Sequence, residues 1–174
     1  SRAIPIKSRR RVLEHHVILF GWNRKTREVL AELNADSLTQ GFRADDYIVV
    51  AEQPLLDRPT DRIYRNVWHV QGRAAESLRK ADLVPVKGRG SGARVATIIA
   101  DPALPRDEAD RRSLLTLLAV ENLYPEVVSI AEVVDPLNQE HFENAYADEV
   151  VLPTHFANML LARTAVFPGV ATYI

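Results

Sequence analysis

His16-Val17-Ile18-Leu19-Phe20-Gly21-Trp22-Asn23-Arg24-Lys25-Thr26 passes from an unbroken apolar run, through a glycine, into a segment that keeps Val29, Leu30 and Leu33 at helical spacing. An apolar run without alternation fits a strand covered on both faces, the setting of a parallel sheet whose crossovers are helices. A glycine at the strand's end allows a tight turn that other residues resist. The fold class therefore turns on whether this strand–turn–helix unit repeats.

The unit recurs down the chain. Residues 47–51 form a second apolar run that stops at Glu52, and residues 66–70 a third, followed by a helix-compatible stretch over 73–81. Residues 95–100 make a fourth strand ending at Asp101. The loop holding Pro102 and Pro105 then leads into a helix over 107–123 with Leu114, Leu115, Leu118 and Val120 turned inward. A fifth strand over 127–131 ends at Glu132, and Pro136 sits early in a helix that reaches Ala145. Residues 149–152 make a sixth strand before an apolar helix over 155–167. Strands alternating with helices predict an α/β fold: a Rossmann-like doubly wound sheet, six mainly parallel strands with helices on both faces and right-handed crossovers. In such a sheet the ligand crevice opens at the carboxyl ends of the strands, which places Gly21, Glu52, Asp101 and Glu132 around it.

Composition agrees with a single globular core. The chain has 174 residues, 47% hydrophobic and 26% charged, far from a disordered or fibrous composition. Its 22 basic and 23 acidic side chains leave a formal charge of −1, so the total gives no support to a nucleic-acid partner. The lack of cysteine excludes disulfides, thiolate zinc sites and cysteine nucleophiles, and fits a reducing, cytosolic setting. No apolar run approaches the roughly 20 residues needed to cross a bilayer. Lys7, Arg9, Arg10 and Arg11 make a basic opening, expected either as a solvated linker or as a segment just beyond a membrane span.

The first turn bears on nucleotide binding. A dinucleotide fingerprint needs GxGxxG, whereas Gly21-Trp22-Asn23-Arg24-Lys25-Thr26 keeps the first glycine and puts Asn23 and Thr26 in the other two places. A pyrophosphate in the usual pose would meet those side chains, which argues against NAD bound that way. Glu52, where a ribose acceptor belongs, and Arg24 and Lys25 at a helix N-terminus leave ADP or AMP in another pose open. Glu52 reads equally as a solvated strand-end carboxylate, and Trp22 as a packed or interface aromatic. Lys87-Gly88-Arg89-Gly90-Ser91-Gly92 looks like a phosphate cradle, but it precedes a strand and reads as an exposed loop.

Asp101, Glu132 and Asp135 end strands or start a helix, and they are candidates to converge on a hard cation such as calcium. The duller reading is solvated acids near helix N-termini. His15, His16, His69, His141 and His155 show no metal spacing, and the chain holds no GxSxG, HExxH or Walker loop. The expectation is a protein without catalytic residues, not an enzyme.

Several of these stretches together resemble one family. They are His16 to Asn23, then Val70-Gln71-Gly72 with Leu78-Arg79-Lys80-Ala81, then Ala93-Arg94 leading to Asp101. Ile130-Ala131-Glu132 and Ala147-Asp148-Glu149-Val150-Val151-Leu152-Pro153 complete the set. In order and spacing they are similar to the RCK or KTN (TrkA-N-like) domains that regulate potassium conductance. The resemblance implies a basic linker over 1–14, a Rossmann-like lobe over 15–153, and a crossover or dimerisation helix with tail over 154–174. It implies a cytoplasmic regulatory domain of a ligand-gated potassium channel, a homo-oligomer (dimer, tetrameric or octameric ring) beneath a membrane pore, driven by calcium or a nucleotide. The Gly-Trp-Asn turn is nearer the calcium-gated members, whose cation site includes acids at the positions of Asp101 and Glu132. Where those members have a further acid, this chain has Val134, with Asp135 next. The competing expectation is an NAD(H)- or adenine-nucleotide-binding transport regulator, or a Rossmann-type oxidoreductase.

Overall fold

A computed structural model of the chain describes residues 14–33, 47–52, 67–72 and 92–166. The expected linker, the helix over 73–81, the loop over 57–65, most of the loop over 87–94, and the tail beyond 166 lie outside them.

Each predicted strand forms: β1 (Glu14–Phe20), β2 (Tyr47–Ala51), β3 (Val67–Gln71), β4 (Gly92–Ile98), β5 (Val128–Glu132) and β6 (Glu149–Val151). They make one six-stranded sheet in the order β3-β2-β1-β4-β5-β6, every neighbouring pair parallel. This is the doubly wound Rossmann order, in which the strand order reverses between β1 and β4 while every strand keeps the same direction. Two strands begin three residues ahead of their apolar runs, β1 at Glu14 and β4 at Gly92, because these ends pair with each other across an irregular register.

The apolar runs feed two cores, one on each face, because successive strand side chains point oppositely. Ile18, Phe20, Ile48, Val50, Ala96 and Ile98 join Leu117, Val120 and Phe142 in one core. Val17, Leu19, Val49 and Val67 join Leu30 in the other. Double coverage is thus the reason that β1 and β2 do not alternate. β5 differs: Ser129 and Ala131 are buried while Val128 is 44% exposed.

Helix α1 (Arg24–Leu33) packs through Thr26 and Leu30, with Val29 and Leu33 half-buried beside them. Helix α2 (Arg106–Leu123) buries Ala109, Ser113, Leu117 and Val120 on the opposite face of the sheet. The expectation that Leu115 and Leu118 lie inside is wrong: they are 63% and 47% exposed. At 3.6 residues per turn Leu115 falls opposite Ser113 and Leu117, the side the helix turns to the sheet, and Leu118 falls about 140° from Ser113. A 3-10 turn (Pro136–Asn138) and α3 (Gln139–Asn144) follow β5, and α4 (Pro153–Val166) follows β6.

Asp110 of α2 is 2% exposed. Its Oδ1 accepts from the Val134 amide at 2.8 Å, and its Oδ2 from the Asp135 amide at 2.9 Å and Asn138 Nδ2 at 2.8 Å. One carboxylate thereby fixes the turn after β5 to α2.

Candidate functional site

The turn after β1 sits at the point where strand order reverses. Gly21 has φ +104°, a left-handed geometry that favours glycine. Its amide donates to the Val50 carbonyl at 2.9 Å, and a Cβ at this position would lie 3.4 Å from the Ile99 carbonyl oxygen. Gly21 is thereby wedged between the ends of β2 and β4.

Asn23 caps α1 from within the turn. Its Oδ1 accepts from the Lys25 amide at 2.8 Å and the Thr26 amide at 3.3 Å. Thr26 answers: its Oγ1 accepts from the Asn23 amide at 3.2 Å and donates to the Gly21 carbonyl at 2.8 Å. The residues that replace the second and third fingerprint glycines therefore occupy the amides to which a pyrophosphate would bind.

A crevice of about 660 Å³ opens at this edge. Gly21, Trp22 and Asn23 line it from β1, Glu52 from β2, Gly72 beyond β3 and Asp101 beyond β4. Phe20, Val50 and Ile98 form an apolar floor, and one flank of α2, including Glu108, Arg111, Arg112 and Thr116, forms a wall. Trp22 is half-buried and also packs against the α1-side core. Of the residues expected to bind a cofactor, Gly21, Asn23 and Glu52 line the crevice. Arg24 and Lys25 are not among its lining residues. The Arg24 side chain is 86% exposed and pairs with Glu28 at 3.5 Å.

The three candidate metal ligands are held apart in their bonding. Glu132 Oε1 accepts from the Ala100 amide at 3.1 Å and pairs with Lys25 Nζ at 2.9 Å. Asp101 Oδ1 accepts from the Ala103 amide at 2.9 Å, and Asp135 Oδ1 from the Leu137 amide at 3.0 Å. Among the described residues no group of three or more His, Cys, Asp or Glu side chains is arranged to hold a metal ion. The expectation that these acids converge on a cation meets a competitor here, because Lys25, 107 residues away in the sequence, brings its ammonium to Glu132. Bonded in this way, Asp101, Glu132 and Asp135 offer fewer ligands than the roughly six to eight oxygens that calcium takes.

Two functional-site features escaped the sequence reading. One is this ion pair, whose partners no local spacing connects. The other is the Glu108–Arg111–Arg112 cluster on α2, with Arg111 Nη1 3.1 Å from Glu108 Oε2 and Arg112 Nε 3.1 Å from Glu108 Oε1. Its signal was present, an acid followed at i+3 and i+4 by bases on the helix after β4.

No protein-family model matches the chain. The chain is 29% identical over 166 residues to the calcium-gated potassium channel TvoK of Thermoplasma volcanium, covering 93% of this chain and 43% of that protein. It is 28% identical over 150 residues to the putative potassium channel protein YugO of Bacillus subtilis, covering 85% of this chain and 41% of that one. The chain thus spans less than half the length of these curated relatives. Among solved structures it resembles the human SLO3 gating ring, with TM-score 0.63, 15% identity, and 88% of this chain and 27% of that one covered. It also resembles the Shewanella denitrificans Kef CTD in its AMP-bound form, with TM-score 0.58, 16% identity and 91% and 85% covered. The GsuK channel bound to NAD matches with TM-score 0.56, 17% identity and 87% and 23% covered. These structures share the fold. The chain has the same Rossmann-like α/β fold, and in sequence it is similar to a calcium-gated potassium channel and to a putative potassium channel protein.

Proposed function

We propose that this chain is a non-enzymatic, ligand-sensing regulatory domain of a potassium channel, working on the cytoplasmic side, and that its crevice takes an adenine nucleotide. The observation carrying this reading is the crevice at the switch point of the sheet, with Trp22 and Glu52 on its walls. Open doubly wound sheets bind their ligands at that place. Glu52 is proposed as acceptor for a ribose hydroxyl, and Gly21 and Asn23 as the backbone edge beside it. Regulation requires that the ligand bind the open and closed assemblies with different affinity, since only that difference moves a gating equilibrium. A homo-oligomeric ring attached to a membrane pore is the assembly through which such a difference would act. Within it, residues 1–14 are proposed as the linker, 15–153 as the sensing lobe and 154–174 as the crossover or dimerisation segment.

Calorimetric titration of the 174-residue chain with AMP, ADP, NAD and NADH tests the reading. Saturable binding of at least one, weakened by Glu52→Gln, is expected. Heat-silent titrations with all four would discard it, and NADH oxidation coupled to a substrate would replace it with the oxidoreductase alternative. The likeness to a channel named calcium-gated keeps calcium as a second reading. It predicts calcium binding that disappears in Asp101→Asn or Glu132→Gln, and the Lys25 ion pair weighs against it.

A further inference from the structure

Where does the anionic end of a nucleotide go in this crevice? The usual anchor, the first amides of α1, is taken by Asn23 Oδ1. The cations of that turn are committed as well, Lys25 to Glu132 at 2.9 Å and Arg24 to Glu28 on the exposed side of the helix. At the strand edge the crevice presents carboxylates, Glu52 and Asp101, which repel phosphate. Among the described lining residues the positive charges are Arg111 and Arg112, both on α2.

We propose that Arg111 and Arg112 form the phosphate-binding wall of this crevice, so that the ligand lies with its anionic group against α2 instead of on the N-terminus of α1. This inference rests on the nucleotide reading of the crevice. Glu108 holds both guanidinium groups at 3.1 Å, orienting them before a ligand arrives. The bonds to Glu108 use Arg111 Nη1 and Arg112 Nε, and each guanidinium carries five N–H donors in a planar fork suited to phosphate oxygens. The two arginines outweigh the one glutamate, leaving this wall net positive.

The test compares adenosine with ADP on the wild-type chain, on Arg111→Gln/Arg112→Gln and on Arg111→Lys/Arg112→Lys, with Arg24→Gln as control. All the altered side chains are exposed, and thermal melts check that the variants fold. ADP affinity is expected to fall about tenfold or more in the double glutamine variant, with adenosine affinity unchanged. Part of the ADP affinity returns in the lysine variant, which keeps the charge and loses the fork. ADP binding that is indifferent to the double glutamine change, or that is lost in Arg24→Gln, overturns the α2 wall while leaving the nucleotide crevice standing. If neither adenosine nor ADP binds the wild type, the nucleotide reading fails and the wall with it.

Discussion

Asp110 joins α2 to the turn after β5. It is buried, and three donors from the turn after β5 converge on it, two of them main-chain amides. Asp110→Asn preserves the shape but swaps one acceptor for an N–H aimed at donors. We expect a loss of about 2 to 4 kcal/mol, since unsatisfied buried groups and charged hydrogen bonds each contribute on the order of 1 to 3. In a domain of this size that lowers Tm by about 10 °C, and a melting curve that overlays wild type would show the carboxylate to be dispensable. Asn23 makes the complementary case. Replacing an N-cap by glycine costs only a few tenths of a kcal/mol, against about 1 for alanine. Asn23→Gly therefore leaves Tm nearly unchanged and exposes the Lys25 and Thr26 amides. ADP affinity is expected to rise about threefold or more through this added anion site, while adenosine binding stays the same; equal ADP affinities in the two proteins would mean that the cap does not obstruct phosphate.

Between elements, the Lys25–Glu132 pair ties the first turn of α1 to the end of β5, and through the Ala100 amide to the end of β4. The side chains are 33% and 19% exposed, so solvent weakens the attraction without cancelling it. Lys25→Met is expected to cost about 1 kcal/mol. Salt screens this interaction, so wild type and variant should converge in Tm as potassium chloride is raised. A gap independent of salt would assign the loss to packing. The same pair explains what was legible beforehand. Strand existence, order of elements and the crevice edge followed from apolar runs and the turn at Gly21, because double burial leaves its mark within a few consecutive residues. The pairing of Lys25 with Glu132 and of Asp110 with the turn after β5 left no such mark, since each joins residues that only the folded sheet brings together. The inward placement of Leu115 and Leu118 failed for a related reason: α2 turns Ala109 and Ser113 to the sheet, and small or polar side chains do not advertise a buried face.

At the scale of the whole molecule, α4 is unfinished. Among the described residues none of its side chains joins either core. Met159 is 44% exposed, Leu161 70% and Val166 69%. Met159, Ala162 and Val166 share one stripe and Leu161 lies on the far side, so exposed apolar side chains point to more than one side of the helix, interleaved with Thr154, His155, Asn158, Arg163 and Thr164. Exposed apolar patches commonly mark contacts between proteins. On the proposed reading, a sensing lobe would transmit its state to other subunits, and α4 offers exposed apolar surface for that contact. The expected outcome is concentration-dependent association of the 174-residue chain in sedimentation velocity, shifted toward monomer by Leu161→Asp with no change in Tm at low concentration. A wild-type chain that sediments as a monomer at every concentration, with or without ADP, would separate sensing from assembly and leave the gating reading without a mechanism in this part of the protein.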